Sequence, residues 1–207
     1  MVNASIAIIS GYLLGSIPSA YIAGRIKRGI DIRDVGSKNM GAMNVYYEVG
    51  LIEAVLVLLT DVGKGIVTII IARYLLGVPL LFQLLAALAA VIGHAFPIFL
   101  KFRGGRGGAT TFGVLLFLMP KAIPFWIAMC LVALLITHNL TFCYSIAFIC
   151  FPLVAWLIYH STPMIIFSIG LPIFVGINYI PRFKEMYMKA GGSWRKVIKR
   201  SGTKERL

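Results

Sequence analysis

Seven stretches of the 207-residue chain consist mainly of apolar side chains and are separated by short polar or glycine-rich segments. They lie at 3–24, 51–77, 79–100, 108–119, 120–137, 140–159 and 161–180. Because an unpaired backbone N–H or carbonyl group is intolerable in hydrocarbon, apolar runs of this kind predict membrane-spanning helices. A span takes about 20 residues, and only the run at 108–119 is clearly too short to cross alone.

The composition excludes an ordinary soluble domain. Hydrophobic residues make up 59% of the chain and charged residues 13%, against roughly 45–50% and about 25% in soluble domains. A net charge of +13 would suggest nucleic-acid binding in a soluble chain, but here the basic residues lie between long apolar runs. We therefore expect an all-α polytopic membrane protein with no nucleic-acid partner.

The basic residues decide between six and seven spans. Lys and Arg concentrate in the first loop at 25–38, in the third loop at 101–106, and in the tail after residue 181. If 108–119 and 120–137 formed one broken helix, the basic first loop or the basic tail would lie outside. Seven spans put all three clusters in the cytoplasm, as the positive-inside rule favours. The charges thus predict about seven helices, with the N-terminus outside and the C-terminus cytoplasmic.

One membrane-embedded domain is expected at 1–180, followed by a basic cytoplasmic tail at 181–207. The N-terminus has no basic segment before its first apolar run, which is typical of a retained helix rather than a cleaved signal peptide. The tail carries nine basic residues, and each gains about 1 kcal/mol near anionic lipid. We expect the tail to lie against the inner leaflet, with membrane lipid as a partner.

The first basic loop has a composition typical of phosphate-binding loops. Gly36, Ser37, Asn39, Gly41 and Asn44 fall within nine residues. Small residues and side-chain amides can leave several backbone N–H groups facing an anion. A tight turn between two spans uses the same residue types, so both interpretations stay open for this loop.

The third loop carries a more specific phosphate pattern, with four glycines around Arg106. They are Gly104, Gly105, Gly107 and Gly108. Glycine lets the backbone approach a phosphate, Arg106 offers a planar fork of donors, and Lys101 and Arg103 add charge. The next helix is expected to begin near Ala109, with its positive dipole end at the loop. The Walker A spacing is absent, so nucleotide hydrolysis is not predicted.

Ionisable residues occur inside or beside the apolar runs. Asp61 and Lys64 are three residues apart on one face of the second predicted helix. Such groups at membrane depth mark a functional site or form a mutually neutralising structural pair. His94 lies near the end of the third apolar run, beside the glycine-rich loop. It could be a packing residue or have a functional role, and both interpretations stay open.

Missing motifs narrow the chemistry. The chain has no HxxxxD, GxSxG or HExxH motif and no Asp-rich metal cluster. Its three cysteines lie in apolar runs without CxxC spacing, so they are expected to pack between helices. Two phosphate-binding loops without a metal or an internal nucleophile favour direct transfer between an activated phosphate donor and a phosphate-bearing alcohol.

Six short blocks match a known pattern in order and in spacing. They are GSIPSAY at 15–21, IDIR at 30–33, GSKNMGAMNV at 36–45, DVGKG at 61–65, GHAFP at 93–97 and FRGGRGGAT at 102–110. In these blocks the chain resembles the PlsY-type acyl-phosphate-dependent glycerol-3-phosphate acyltransferases of bacteria.

The resemblance implies a multi-pass enzyme of the bacterial cytoplasmic (inner) membrane that acts in phospholipid biosynthesis. Such an enzyme transfers a fatty acyl group from acyl phosphate to the 1-hydroxyl of sn-glycerol 3-phosphate, giving lysophosphatidic acid and phosphate. The resemblance implies no cofactor and no metal. The oligomeric state is left open.

The resemblance also implies roles for the matching residues. The implied catalytic residues are Ser37, Asn39, Lys64 and His94. The implied acyl-phosphate-binding residues are Ser37, Asn39, Gly41, Asn44 and Asp61. The implied glycerol-3-phosphate-binding residues are Lys101, Arg103, Gly104, Gly105, Arg106, Gly107 and His138.

Several matched positions differ from the family pattern. Three lie in the first loop, with Lys38 for Gly, Met43 for Thr and Tyr47 for Arg. The donor site is therefore expected to be altered but still basic. His138 replaces an Arg, which would hold phosphate more firmly. In the tail, Trp194 and Val197 stand where the family has His and Asn.

These differences leave alternatives beside a divergent glycerol-3-phosphate acyltransferase. One is an acyl-phosphate-dependent transferase with another acceptor, and another is a non-catalytic paralogue. A transporter is a further class, since an Asp and a Lys within the helices can line an ion path. No inverted repeat is visible, and both glycine-containing loops fall on one predicted side, which suits an enzyme better.

Overall fold

The computed structural model describes residues 1–198, and every regular element within them is helical. The predicted all-α class is confirmed. The chain forms two compact units, one from Met1 to Leu118 and the other from Met119 onward. The helical part of each unit follows the apolar runs of the sequence closely.

Six helical segments are long and apolar enough to cross a membrane. They are Val2–Arg28, Leu51–Leu75, Leu80–Leu100, Pro120–Thr137, Thr141–Tyr159 and Thr162–Lys189. A shorter apolar helix, Gly108–Leu118, coincides with the run that is too short to cross alone. The boundaries agree with the sequence because the apolar runs themselves set how much chain can leave water.

The first unit contains six α-helices. They are α1 (Val2–Gly15), α2 (Ser19–Arg28), α3 (Ala42–Glu48), α4 (Leu51–Ile70), α5 (Leu80–Ala95) and α6 (Gly108–Leu118). A π-helical turn, Ile71–Leu75, continues α4, and a 3₁₀ turn, Ile98–Leu100, follows α5. The apolar run expected as one helix at 3–24 is broken between α1 and α2, because Pro18 has no N–H to continue the helical ladder.

Small residues let the helices of this unit approach closely. A Cβ built at Gly15 of α1 would overlap the carbonyl of Ala90 in α5, and one at Gly113 of α6 would overlap the carbonyl of Val62 in α4. Lipid tails are as apolar as the helix surfaces, so association in a membrane depends on such close packing. The glycines therefore set how near α1 lies to α5 and α4 to α6.

The loop between α2 and α3 is folded against the first unit. Ile32 and Met40 are fully buried in a cluster with Val45, Val49 and Val57. Apolar anchors at both ends of the loop thus hold its polar middle, residues 33–39, in a defined place. A tight turn alone would not need these buried side chains.

The described part of the second unit, residues 119–198, contains five α-helices. They are α7 (Ile123–Thr137), α8 (Leu140–Ala147), α9 (Cys150–Val154), α10 (Thr162–Lys189) and α11 (Trp194–Ile198). A π-helical turn, Ala155–Tyr159, follows α9. The helix expected to end at residue 180 runs on to Lys189, so the basic tail begins as part of α10.

The end of the described chain packs back on the second unit. Asn139 Nδ2 donates hydrogen bonds to the carbonyls of Val197 (2.8 Å) and Ile198 (3.4 Å). The rings of Tyr187 and Trp194 lie 4.6 Å apart between centroids. Residues 181–198 therefore form an ordered hairpin, while the remainder of the predicted tail, residues 199–207, lies outside the described residues.

Gly113→Ala is expected to lower the free energy of unfolding by about 2 kcal/mol, within the range for overpacking. The added Cβ would overlap the Val62 carbonyl and force α4 and α6 apart. The measurement is thermal unfolding of the purified protein in detergent. The matched control is Gly63→Ala, whose Cβ meets no atom within 4 Å and which gains up to about 1 kcal/mol from helix propensity. Equal melting temperatures for the two variants would contradict the close α4–α6 contact.

Candidate functional site

A buried polar cluster lies where α2, α4 and α5 meet. Asp61 Oδ1 accepts a hydrogen bond from Ser19 Oγ (2.8 Å) and lies 2.9 Å from Lys64 Nζ. His94 Nδ1 is 3.5 Å from the same oxygen, at the edge of hydrogen-bond distance. The exposed fractions of Asp61, Lys64 and His94 are 1%, 5% and 4%. The structure thus brings together three residues predicted from the sequence and adds Ser19, which was not predicted.

The break between α1 and α2 supplies part of this cluster. Lys64 Nζ donates to the carbonyl of Ile17 (3.2 Å), which also accepts the Ser19 N–H (3.1 Å) at the break. Ser19 is the first residue of α2, so the Asp61 carboxylate lies at the positive end of that helix dipole. A negative charge is stabilised there, so the helix break contributes partners to both members of the Asp61–Lys64 pair.

The glycine-rich loop lies flat against the end of α5. Gly104 N–H donates to the carbonyl of Ala95 (3.1 Å), and Gly105 N–H donates to the carbonyl of His94 (3.0 Å). A Cβ at Gly105 would overlap His94 Nε2 and lie 2.6 Å from the carbonyl oxygen of Met40. The N–H groups of these two predicted phosphate-binding glycines are thus hydrogen-bonded to the protein itself. Gly105 also contacts Met40, so the first loop lies against the third loop at this point.

The start of α6 is the best-placed anion site in the third loop. Gly107 has a left-handed φ of +88° and its carbonyl accepts from Thr111 N–H (2.9 Å). The N–H groups in the first turn of a helix have no intrahelical acceptor. Thr110 Oγ1 and Thr111 Oγ1 are fully buried and lack a hydrogen-bond partner within residues 1–198. Half-buried Arg106 directly precedes this turn.

The residues that lead into the glycines are exposed. Lys101 and Phe102 have left-handed φ values of 54° and 59°, which cost about 1–3 kcal/mol each in non-glycine residues. The turn is held by Phe102 N–H donating to Pro97 (3.0 Å) and Arg103 N–H donating to Leu100 (3.2 Å). Lys101 and Arg103 thus present their charges to solvent from a well-defined turn.

Asn44 organises the first loop from within. Its Nδ2 donates to the carbonyls of Ile32 (2.9 Å) and Val35 (3.1 Å), and its Oδ1 accepts from Ser37 N–H (2.9 Å). Asn44 is 3% exposed, and both amide N–H groups are used. The predicted phosphate ligand Asn44 is therefore a support for the loop.

The polar middle of the first loop carries available side chains. Ser37 and Asn39 are partly exposed, and their side chains make no hydrogen bond within the described part of the chain. Gly41 caps α3, since its carbonyl accepts from Asn44 N–H (3.1 Å) and Val45 N–H (3.2 Å). Of the predicted donor-site residues, Ser37 and Asn39 are the ones whose side chains can reach a ligand.

Arg33 links the two loops. Its Nε and Nη2 donate to Asp31 Oδ1 (2.9 Å) and Oδ2 (2.7 Å), and its Nη1 donates to the carbonyl of Leu100 (3.2 Å). The hydrogen bonds from Arg33 lower the pKa of Asp31 to about 2, although burial of the carboxyl opposes the shift. The pair therefore stays ionised at neutral pH and ties the first loop to the entrance of the third.

His138 belongs to the second unit. It ends α7 with a left-handed φ of 52° and is exposed. Next to it, buried Asn139 caps α8 by accepting from Phe142 N–H (3.2 Å). Within residues 1–198, no three His, Cys, Asp or Glu side chains are grouped so as to hold a metal ion.

Residues 5–189 match the family described as "Glycerol-3-phosphate acyltransferase". Glycerol-3-phosphate acyltransferase 2 of Dehalococcoides mccartyi is 50% identical over 203 residues, covering 98% of this chain and 96% of the relative. A glycerol-3-phosphate acyltransferase of Bacillus velezensis is 44% identical over 133 residues, covering 64% of this chain and 68% of the relative.

A solved structure is also similar. The crystal structure of PlsY, described as an integral membrane glycerol 3-phosphate acyltransferase in its glycerol 3-phosphate form, superposes with a TM-score of 0.81. The match covers 92% of this chain and 94% of that chain at 29% identity. Together these similarities confirm the resemblance identified in the sequence and the prediction of a polytopic membrane protein. The chain belongs to the glycerol-3-phosphate acyltransferase family of integral membrane enzymes.

Proposed function

We propose that the protein transfers a fatty acyl group from acyl phosphate to the 1-hydroxyl of sn-glycerol 3-phosphate, giving lysophosphatidic acid and inorganic phosphate. The observation that carries the proposal is the joining of the first and third loops. Arg33 bonds to the carbonyl of Leu100, and the Met40 carbonyl lies against Gly105. Two phosphate-binding loops held side by side are what a reaction between two phosphate-bearing substrates requires.

The first loop is the proposed donor site. The side chains of Ser37 and Asn39 make no hydrogen bond within residues 1–198, and Asn44 holds the loop that carries them. The acyl chain would lie along the apolar helices, where burial of each CH₂ contributes about 0.8 kcal/mol. Asp61, also predicted as a donor-site residue, is buried against Ser19 and Lys64 and does not reach a ligand.

The third loop is the proposed acceptor site. Arg106 and the first turn of α6 form a cationic end that suits the phosphate of glycerol 3-phosphate. Gly107, with its left-handed φ, sets the backbone direction at the start of that turn. Exposed Lys101 and Arg103 attract the anion from solution. Gly104 and Gly105 contribute by lying flat on α5. A role for His138 in holding the same phosphate stays a prediction.

The chemistry needs alignment more than activation, because acyl phosphate is already activated. The 1-hydroxyl oxygen bonds to the acyl carbon, the bond from that carbon to the bridging phosphate oxygen breaks, and the departing phosphate takes the hydroxyl proton. Alignment of this kind supplies about 7–11 kcal/mol. Lys64 and His94 are nearly inaccessible, which supports the phosphate as the base. An enzyme group that titrates in the pH–rate profile would contradict this step.

We further propose that the enzyme lies in the bacterial cytoplasmic membrane with seven spans, of which α6 is the short one. The N-terminus lies outside and the C-terminus in the cytoplasm, as the positive-inside rule favours.

This topology is tested by single cysteines at His138 and His160 in a chain whose native cysteines are replaced by alanine. With seven spans, a membrane-impermeant maleimide added to intact cells is expected to label His160→Cys and not His138→Cys. With six spans and the N-terminus outside, the labelling would be reversed. With six spans and the N-terminus inside, a third single cysteine at exposed Lys38 in the first loop would be labelled, whereas seven spans keep it in the cytoplasm, so either result would contradict the proposal. Permeabilised cells, in which each cysteine should react, serve as the control.

The proposed reaction is tested by purified protein in detergent with palmitoyl phosphate and glycerol 3-phosphate. Phosphate release and lysophosphatidic acid formation are expected to depend on the acceptor. Arg106→Ala is expected to raise KM for glycerol 3-phosphate about tenfold or more, as loss of a charge-assisted hydrogen bond predicts. Arg106→Lys keeps the charge and is expected to lose less. Arg73→Ala, which removes an exposed arginine in the turn after α4, is the matched control. Phosphate release without lysophosphatidic acid would indicate another acceptor.

Ser37, which is available to a ligand, and Asn44, which supports the loop, are expected to respond differently to substitution by alanine. Ser37→Ala is expected to lower kcat/KM for palmitoyl phosphate while leaving the melting temperature unchanged, because the Ser37 side chain makes no hydrogen bond to the described part of the protein. Asn44→Ala is expected to lower both, because it leaves the carbonyls of Ile32 and Val35 without donors, at about 1–3 kcal/mol for each buried group. Activity assays and thermal unfolding of the same preparations measure the difference. A Ser37→Ala protein with full activity would contradict the proposed donor site.

A further inference from the structure

Ser19 has one polar contact that links separate parts of the first unit. Its hydroxyl donates to Asp61 Oδ1 at 2.8 Å, across 42 positions of sequence. Ser19 is also the residue at which the chain resumes helical structure after the break at Pro18. The side chain thus connects the start of α2 to the middle of α4.

The Asp61 carboxylate has three polar neighbours, Ser19, Lys64 and His94, and each contact has a different consequence. Lys64 lies one turn along the same helix, so it neutralises Asp61 without linking α4 to α5. Ser19 reaches Asp61 from α2, and His94 approaches it from α5 at 3.5 Å. Ser19 therefore ties Asp61 to α2 by a hydrogen bond, the His94 ring packs against the same oxygen from α5, and Lys64 balances the charge of Asp61.

His94 also contacts the glycine-rich loop, so it connects that loop to Asp61. Its carbonyl accepts the Gly105 N–H at 3.0 Å, and its Nε2 lies where a Gly105 Cβ would be. Backbone and ring together contact the same residue, so a shift of His94 moves Gly105. Arg106 and the first turn of α6 follow directly in the chain.

We propose that Ser19 is a positioning residue for the acceptor site, acting through Asp61 and His94 on the glycine-rich loop. The inference rests on the proposed function, in which that loop binds the phosphate of glycerol 3-phosphate. It makes Asp61, Lys64 and His94 parts of a buried support that does not touch substrate. Removing the Ser19 hydroxyl leaves the Asp61–Lys64 ion pair in place, so the protein keeps its fold. The glycine-rich loop, however, is no longer held at a fixed distance from the end of α5.

Ser19→Ala tests the proposal, with steady-state kinetics in detergent for each substrate at saturation of the other. KM for glycerol 3-phosphate is expected to rise about three- to tenfold, in the range for coupling through a packed network. KM for palmitoyl phosphate is expected to stay unchanged, while the melting temperature falls because the buried Asp61 carboxylate loses a hydrogen-bond donor. Ser19→Thr, which keeps the hydroxyl, is expected to restore the acceptor KM.

Ser16→Ala is the matched control. Ser16 is a fully buried serine at the same helix break, but its hydroxyl donates only to the Tyr12 carbonyl (2.8 Å) in its own helix. Its removal is expected to leave both KM values unchanged. The outcome for Ser19→Ala is read as the difference from this variant, which subtracts the general effect of losing a buried hydroxyl.

A double-mutant cycle with His94→Ala checks the route of the effect. If Ser19 acts through His94, Ser19→Ala is expected to add nothing to the acceptor KM once His94 is absent. Additive effects, an unchanged acceptor KM in Ser19→Ala, or equal rises in both substrate KM values would overturn the proposal. Since the wild-type enzyme is assayed alongside, failure of the proposed reaction would appear as no turnover at all and is distinguishable. If Ser19→Ala does not fold, an acceptor KM in Ser19→Thr raised as far as in His94→Ala would overturn the proposal.

Discussion

A carboxylate inside the membrane needs partners, and the first unit is arranged around the partners of Asp61. An isolated ion in a low-dielectric interior carries a desolvation cost of several kcal/mol even after relaxation. Asp61 meets Lys64, Ser19 and the positive end of α2. Lys64 in turn donates to the Ile17 carbonyl at the break in the first span, which also accepts the Ser19 N–H. The helix break therefore supplies partners to both charges, a hydroxyl and a helix N-terminus to Asp61 and a backbone carbonyl to Lys64.

The helices could be predicted from the sequence because hydrocarbon permits few alternatives. Each apolar run became helical, with ends within a few residues of the predicted ones in most cases. The break at Pro18 could not be read from hydropathy, since apolar residues dominate the run both before and after the short segment 16–19. The continuation of α10 past residue 180 was also missed. There the ion pairs of Glu185 with Arg182 (2.7 Å) and Lys189 (2.8 Å) extend the helix after the apolar run has ended.

The residues that lie together in the candidate site could be predicted from the sequence, but the role of each residue could be predicted less well. The spacing of Asp61 and Lys64 predicted a shared face, and the nearness of His94 to the glycine-rich loop was visible in the chain order. Residue type alone cannot tell whether an amide binds a ligand or its own loop, and Asn44 does the latter. The contribution of Ser19 depends on a contact between distant helices, for which no local pattern exists.

Gly105 carries a consequence for how such sequences can diverge. The space that a side chain would need at 105 is filled by the imidazole of residue 94 and the backbone at Met40. A larger residue at 105 is therefore compatible with this fold only where 94 is smaller or the first loop is displaced. Across related sequences, positions 94 and 105 should therefore covary. A glycine at 105 would be retained because it packs against the histidine at 94, even though its place in the loop suggests a substrate contact.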